Sequence, residues 1–171
     1  MSPAVRQITK EDTGHRFEFE GPLDSVGWRI LKELQDNARI SLTELGRRVG
    51  LTPPAVAERV RRLEDTGIIT GYRVELDVER LGFSMLAFIR LAVRGSTGSE
   101  VSRVIASLPE VLECHHVTGD DCYIMKVAVA SVRHLEGLLE QLLRFGDTTT
   151  SIVISSPVTR RVIEPLAAAP G

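Results

Sequence analysis

Two consecutive helix-capping patterns between residues 40 and 67 constrain the fold of this chain more than any other feature. Ser41, with Glu44 three residues later, predicts the start of one helix through a capping box. Gly50 suits the left-handed residue that ends such a helix, and Thr52 followed by proline predicts the start of the next. Two helices joined by so short a turn are typical of a helix-turn-helix.

The second of these helices has one apolar face and one face suited to DNA. Val56, Val60 and Leu63 follow helical spacing and are expected to pack inward. The opposite face combines small residues, which let a backbone approach base edges, with arginines, which suit phosphates and guanines. The predicted DNA-contacting residues are Arg47, Arg48, Thr52, Pro54, Ala55, Glu58, Arg59, Arg61 and Arg62. A solvated basic face on an ordinary helix pair is the alternative interpretation.

The charge balance argues against a chain that binds polyanions through one large positive field. The 171 residues carry a formal net charge of −2, and the pI is near 6.1. Residues 24–72 contain eight Lys or Arg and seven Asp or Glu, a balance of +1. Any basic DNA footprint must therefore come from the local arrangement of arginines.

Cysteine content and hydropathy predict a cytoplasmic protein that does not bind membranes. Cys114 and Cys122 form no Cys-X-X-Cys motif, and the N-terminus lacks the apolar stretch of a signal peptide. Free thiols fit a reducing compartment. No apolar run approaches the ~18 residues that a membrane span needs.

The chain before and after the paired helices completes a first domain. Residues 1–22 are polar and are predicted to form a flexible arm. Asp24 or Ser25 is expected to cap a helix that runs to about residue 36 and completes a helix-turn-helix domain over residues 23–72. Trp28 lies off the apolar stripe of this helix. Residues 73–82 are predicted to form a hinge strand or linker.

From residue 83 onward the pattern changes to β-α-β-β-α-β. Strands are predicted over 83–94, 111–117, 122–130 and 149–156, and helices over 96–107 and from Ser131 onward. This order is the ferredoxin-like split βαβ. The predicted fold class is α+β, with an N-terminal winged-type helix-turn-helix domain followed by a ferredoxin-like βαββαβ domain. The second domain spans residues 83–157, and residues 158–171 are predicted to form a loose C-terminal tail.

No residue pattern predicts a metal, a cofactor or catalysis. Glu113, Cys114, His115 and His116 are adjacent, but a strand places two of them on each face, and a closed zinc site needs four ligands. The chain has no phosphate-binding glycine loop and no nucleophile elbow. We therefore expect the chain not to be an enzyme.

The polar loop from Thr118 to Cys122 is a candidate ligand site. Its glycine permits close approach of a ligand, its aspartates could hold the ammonium group of an amino acid, and nearby threonines or loop N–H groups could hold the carboxylate. A plain hairpin turn is the alternative. The predicted effector-binding residues are His116, Thr118, Gly119, Asp120, Asp121, Cys122, Thr148 and Thr150.

Together the two halves resemble the Lrp/AsnC family of feast/famine transcription regulators over roughly residues 23–160. Four runs carry the resemblance: Leu23-Asp24 with Ile30-Leu31, then ARISLTELGRRVGLTPPAVAERVRRLEDTGIITGY, then ECHHVTGDDCYIMKV, then TTTSIVISS. The resemblance implies an N-terminal domain that binds double-stranded DNA and a C-terminal domain for regulation and assembly. It also implies dimers that join into larger rings, often octamers of four dimers, and an effector that is usually an amino acid. The alternative function is an amino-acid-binding allosteric module whose N-terminal domain docks a protein partner.

Three positions depart from the family pattern. Gly27 stands where the family commonly has an aspartate, Cys122 replaces an acidic residue of the effector-site turn, and residues 146–148 look like a shortened turn before the last strand. The last two changes touch the predicted effector site. Because Cys122 replaces an acidic residue, a small or apolar amino acid is favoured over a basic one as the effector.

Overall fold

The computed structural model describes residues 23–95, 97–119 and 122–165, and these form two compact units. Residues 23–72 and 161–165 belong to the first unit, and the described residues from 73 to 160 belong to the second. The arm predicted for residues 1–22 lies outside the described residues. Within the described ranges, no helix is both long enough and apolar enough to cross a membrane.

Three helices form the first unit: α1 (Ser25–Asp36), α2 (Leu42–Val49) and α3 (Pro53–Asp65). The helix α1 begins where the Asp24 carboxylate accepts a hydrogen bond from the Gly27 N–H at 2.7 Å, which confirms one of the two predicted caps. The apolar stripes of the helices meet in one core, whose buried members are Ile30, Leu45, Val49, Val56 and Leu63.

The turn between α2 and α3 follows most of the predicted capping pattern. Gly50 has φ +74° in the left-handed region, and the Ser41 hydroxyl accepts from the Glu44 N–H at 3.2 Å. The predicted capping box is nevertheless incomplete, because the Glu44 carboxylate binds two arginines of α2, and charge-assisted bonds are the stronger ones. Thr52 makes no side-chain cap bond to α3. Pro54 removes the donor at one of the two positions that such a bond can use, while the N–H of Ala55 at the other position is present but is not bonded by Thr52.

The prediction of a hinge strand after α3 is wrong. Residues 71–77 have no regular secondary structure, and residues 78–82 form turns. A strand needs a neighbouring strand for its backbone hydrogen bonds, and the sheet described below contains no strand from this segment. That residues 73–82 link two domains stays a prediction.

The second unit is a four-stranded antiparallel sheet with two helices packed on one face. In chain order its elements are β1 (Met85–Val93), α4 (Gly98–Ser107), β2 (Val111–His116), β3 (Tyr123–Val129), α5 (Val132–Leu143) and β4 (Gly146–Ile152). The spatial order of the strands is β2-β3-β1-β4. The order of elements confirms the predicted βαββαβ pattern.

Alternating residues of the central strands explain which sheet face the helices cover. Ile89 and Leu91 of β1, with Met125 of β3, are fully buried under α4 and α5. Phe88 on the opposite face of β1 is 43% exposed. Side chains alternate along β1, so one face of the strand packs into the core and the other is exposed to solvent in a single chain.

The last strand begins earlier than predicted. Residues 149–156 were expected to form it, but β4 begins at Gly146, which pairs with Val93 of β1. The segment that resembled a shortened turn is therefore part of the strand. Pairing with β1 decides the position of β4, whereas the apolar residues that suggested a later strand extend past its end, where Ile154 is 98% exposed.

Part of the predicted loose tail is held on the first unit. The side chains of Gln35 and Lys32 on α1 bind the backbone and side chain of residues 163 and 164. Residues 161–165 therefore are not loose. Residues 158–160 of the predicted tail belong to the second unit, where Arg160 donates to Glu75, and residues 166–171 lie outside the described part of the chain.

Candidate functional site

The outward face of α3 is accessible, as predicted. Val56 and Leu63 are buried in the core of the first unit, which turns the opposite side of the helix to solvent. The predicted contact residues on this side are Thr52, Pro54, Glu58, Arg61 and Arg62, which are exposed, and Ala55 and Arg59, which are partly buried. Small residues lie at the start of the helix and arginines further along it. That these residues contact DNA stays a prediction.

On α2, one carboxylate holds both predicted arginines. Arg47 donates from Nε and Nη2 to the two oxygens of Glu44 at 2.9 and 2.7 Å. Arg48 donates from Nε to Glu44 at 2.8 Å and from Nη1 to Glu33 of α1 at 2.8 Å. These bonds, first that from Arg47, lower the pKa of Glu44 to about 2. They also raise the pKa of both guanidinium groups. Both arginines are therefore hydrogen-bonded to carboxylates and charge-compensated.

Two further arginines have carboxylate partners. Arg59 donates to both oxygens of Asp24 at 3.0 and 2.8 Å, and Arg61 donates to Glu58 at 2.5 Å. The pKa of Asp24 is lowered, first by the hydrogen bond from a backbone N–H and then by Arg59. Arg62 forms no ion pair with any residue that the structure describes. Among the predicted contact arginines, Arg62 is the one whose charge no carboxylate of the described residues compensates.

The turn between β2 and β3 holds one part of the predicted effector set. His116 ends β2 and stacks on Tyr123 of β3, with ring centroids 4.8 Å apart. Thr118 and Gly119 follow in the turn, where Gly119 has φ +109°, a left-handed conformation that favours glycine. Cys122 is partly buried and packs against the core. Asp120 and Asp121 of the predicted set lie outside the described residues.

The two predicted threonines lie at the opposite edge of the sheet. Across the four strands the register aligns His116 with Tyr123, then Leu91, then Thr148, while Thr150 lies further along β4. Three strand spacings of ~4.8 Å separate the edge strands by about 14 Å. One chain therefore does not bring Thr148 or Thr150 to the β2–β3 turn.

Three acidic partners of the arginines, Asp24, Glu33 and Glu44, are functional candidates that were not predicted from the sequence, whereas the fourth, Glu58, was predicted. Glu44 lies three and four residues before Arg47 and Arg48, a spacing at which helix side chains meet, so this pairing could have been found. The partnership of Asp24 with Arg59 joins positions 35 residues apart. That contact depends on how α1 packs near α3, and no local pattern indicates it.

The fold and its exposed helix define a class: a DNA-binding transcriptional regulator with a separate ligand-binding domain. The family model described as winged helix-turn-helix DNA-binding matches residues 23–70. The family model described as Lrp/AsnC ligand binding domain matches residues 86–163. The chain belongs to the Lrp/AsnC family, as the sequence resemblance predicted.

Individual relatives agree with this assignment. The leucine-responsive regulatory protein of Haemophilus influenzae is 40% identical over 77% of this chain and 84% of its own length. The structure of LrpC from Bacillus subtilis is similar with a TM-score of 0.78 and 31% identity, covering 82% of this chain and 100% of LrpC. A transcriptional regulator of Neisseria meningitidis, solved in complex with L-methionine, has a TM-score of 0.77 and 27% identity and covers 83% of this chain and 96% of its own. The predicted fold class is confirmed.

Proposed function

We propose that α3 is the helix through which this regulator reads double-stranded DNA, and that arginines of α2 bind the flanking phosphates. The observation that carries the proposal is the exposed side of α3, with small residues at its start and Arg61 and Arg62 beyond them. In helix-turn-helix proteins the second helix enters the major groove with its N-terminal residues on base edges, while the first crosses the backbone. Arg47 and Arg48 lie on that first helix.

Glu58 is the residue on α3 best suited to give this helix a preference for a particular base sequence. Its carboxylate is exposed and is paired with Arg61 at 2.5 Å, so acceptor and donor stand side by side. A carboxylate accepts from the amino group of cytosine, and an arginine donates to guanine. Arg62, which has no carboxylate partner among the described residues, is suited to a phosphate.

Selection from a library of random-sequence duplexes tests this assignment. The wild-type chain should enrich a defined sequence, and Glu58→Gln should change that sequence at one or two adjacent base positions while total affinity changes less. Glu100→Gln removes an exposed acid from α4 and serves as the control that leaves the sequence unchanged. The same enriched sequence with Glu58→Gln would contradict a base-reading role for Glu58.

We propose an apolar amino acid as the effector. A relative is named for its response to leucine, and a structural neighbour was solved with L-methionine. Cys122 supplies no negative charge that would select a basic side chain. The proposed site lies at the β2–β3 turn near Gly119, and it requires Thr148 and Thr150 from another copy of the chain, because these two groups are about 14 Å apart within one chain.

Assembly is therefore part of the proposed function. We propose at least a dimer, and rings of four dimers as in the family pattern, with the effector bound between dimers. An effector changes DNA binding when it favours one arrangement of the copies over another. The exposed apolar residues of the second unit, such as Phe88 and Ile154, support burial against further copies. A stable monomer at micromolar concentration would contradict this assembly.

Thermal denaturation in the presence of each of the twenty amino acids tests the effector proposal. A ligand that binds only the native state raises its stability, so leucine or methionine should raise the melting temperature. The double variant Thr148→Val/Thr150→Val preserves side-chain shape and should abolish the increase. Thr149→Val, on the opposite face of β4, is its control. Gly119→Trp should also abolish the increase, and a full increase in both site variants would place the effector elsewhere.

A protein-docking role for the first unit is not favoured. That unit matches a family described as DNA-binding, and its outward helix carries arginines rather than an apolar surface. The two roles differ in salt dependence, because binding through phosphates weakens steeply with salt and an apolar protein contact does not. Action on DNA also supports the predicted cytoplasmic location.

A further inference from the structure

The most strongly organised charges in the first unit surround Glu44. Both of its oxygens accept from Arg47 in a two-bond fork, and one of them also accepts from Arg48. Glu33 holds the other end of Arg48 from α1 at 2.8 Å. Two carboxylates thus neutralise two arginines and fix where their guanidinium groups lie.

This arrangement leaves the arginines able to bind phosphate. A guanidinium group has five N–H donors in a planar fork, and the bonds to Glu44 occupy two of those on Arg47. The side chain of Arg47 is still 73% exposed. The bonds to Glu44 restrain the remaining donors to one position, so they cannot move to reach phosphates placed elsewhere. Restraining a side chain before binding reduces the entropy lost on binding, but only for a target that fits the restrained geometry.

The Glu44 carboxylate also weakens sequence-independent binding of the arginines to DNA. Random-sequence binding depends almost entirely on neutralising phosphates with lysine and arginine. A negative charge held at 2.7 Å from Arg47 reduces the field that this arginine presents to any duplex. The balance of +1 over residues 24–72 shows how little spare positive charge the domain has.

We infer that Glu44 is a positioning residue for DNA specificity: it restrains Arg47 and Arg48, so that duplexes whose phosphates fit them are favoured over random duplexes. The inference rests on the proposed DNA-binding function of α2 and α3. Its consequence is a change in the ratio of two affinities, which a general loss of folding would not produce.

Glu44→Gln is the informative variant because it leaves the start of α2 intact. The Ser41 cap uses the backbone N–H of residue 44 and not its carboxylate. The matched control is Asp36→Asn, which also removes one negative charge from the first unit. The Asp36 carboxylate forms no hydrogen bond or ion pair with the described residues.

The experiment compares the duplex selected by the wild-type chain from a random library with a shuffled duplex of the same composition. For Glu44→Gln we expect the shuffled duplex to bind about fivefold more tightly, the effect of one unit charge near 4 Å in water. Affinity for the selected duplex should change less than twofold, because lost positioning offsets the gained charge. The ratio of the two affinities therefore falls about fivefold. Asp36→Asn should change both affinities in parallel and leave the ratio as in wild type.

A second variant shows whether the effect acts through the arginine. Adding Arg47→Ala to Glu44→Gln should remove the increase in shuffled-duplex affinity, since residues that act as a unit are not additive. An unchanged affinity ratio in Glu44→Gln would overturn the inference. A wild-type chain that selects no sequence would instead overturn the proposed function, so the two failures are distinguishable.

Discussion

The side-chain amide of Gln35 on α1 binds both backbone groups of Ile163. Its Nε2 donates to the Ile163 carbonyl at 3.1 Å, and its Oε1 accepts from the Ile163 N–H at 2.9 Å. Lys32, one turn earlier on α1, lies 3.5 Å from Glu164. Lys32, Ile163 and Glu164 line a groove with Trp28, between α1 and residues 163–165. An amide that bonds both backbone groups of one residue holds this segment in one register against α1.

Gln35→Ala should release this segment. Trp28 is the only tryptophan of the chain and borders the groove, so its fluorescence emission should shift to longer wavelength as water replaces the segment. Cleavage by trypsin after Arg161 should become faster. Gln141→Ala is the control. Gln141 is also a helix residue whose side-chain amide donates a hydrogen bond to a backbone carbonyl, but it lies in α5. Equal emission and cleavage in wild type and Gln35→Ala would contradict the contact.

Gly46→Ala should destabilise the first unit. A Cβ at Gly46 would lie 2.6 Å from the carbonyl oxygen of Leu51, which is backbone and cannot rotate away. Overpacking of this kind destabilises a protein by ~1–3 kcal/mol. Gly137→Ala in α5 meets nothing within 4 Å and should stabilise the chain by up to ~1 kcal/mol through helix propensity. Urea denaturation measures both, and equal effects of the two substitutions would contradict the packing of α2.

The stability of the first unit should depend on pH through Glu44. Its pKa is lowered from 4.5 to about 2, so the folded state favours the ionised carboxylate more than the unfolded state does. The resulting stabilisation is complete above pH 4.5 and is lost as the pH falls from 4.5 towards 2. The difference in melting temperature between wild type and Glu44→Gln should shrink over this interval. A difference that stays constant across it would show that the carboxylate is not held by Arg47 and Arg48 in solution.

His134→Ala should destabilise the second unit. The His134 Nε2 lies 2.9 Å from a Glu110 oxygen, and the Nδ1 accepts from the Ala130 N–H at 3.3 Å. The Glu110 side chain is only 15% exposed, and its other oxygen is buried with no hydrogen-bond partner among the described residues. Removing the histidine would leave the carboxylate unsatisfied, an effect of ~1–3 kcal/mol. His115→Ala, at an exposed position, should change stability much less, and equal losses would contradict the role of the contact.

The helices of the first unit could be predicted closely because their signals are local. The hydroxyl of Ser41, the left-handed Gly50 and the apolar spacing of α3 act within a few residues of each other. Which of several possible hydrogen-bond partners a side chain binds could not be predicted in the same way. Glu44 was expected to cap α2, but two arginines on the same helix are stronger partners than a backbone N–H.

Features that depend on contacts distant in sequence were missed or misplaced. The start of β4 depends on pairing with β1, so Gly146 was assigned to a turn. The binding of Ile163 by Gln35 joins positions 128 residues apart, and no periodicity in the tail indicates it. The predicted effector set joined residues near His116 with Thr148, which the strand order places at opposite edges of one sheet.

The salt dependence of DNA binding by Arg61→Ala/Arg62→Ala tests the central claim most directly. Binding of the wild-type chain and of this variant to the wild-type-selected duplex would be measured by fluorescence anisotropy over a range of salt concentrations. The control Arg103→Ala/Arg133→Ala removes the same charge from exposed positions of α4 and α5. Loss of the Arg62 phosphate contact and of the Arg61 guanine contact should weaken binding, and loss of the phosphate contact should reduce the slope of log affinity against log salt by about one, with no such change in the control. A folded Arg61→Ala/Arg62→Ala variant with wild-type affinity and slope would contradict the claim that α3 is the DNA-reading helix.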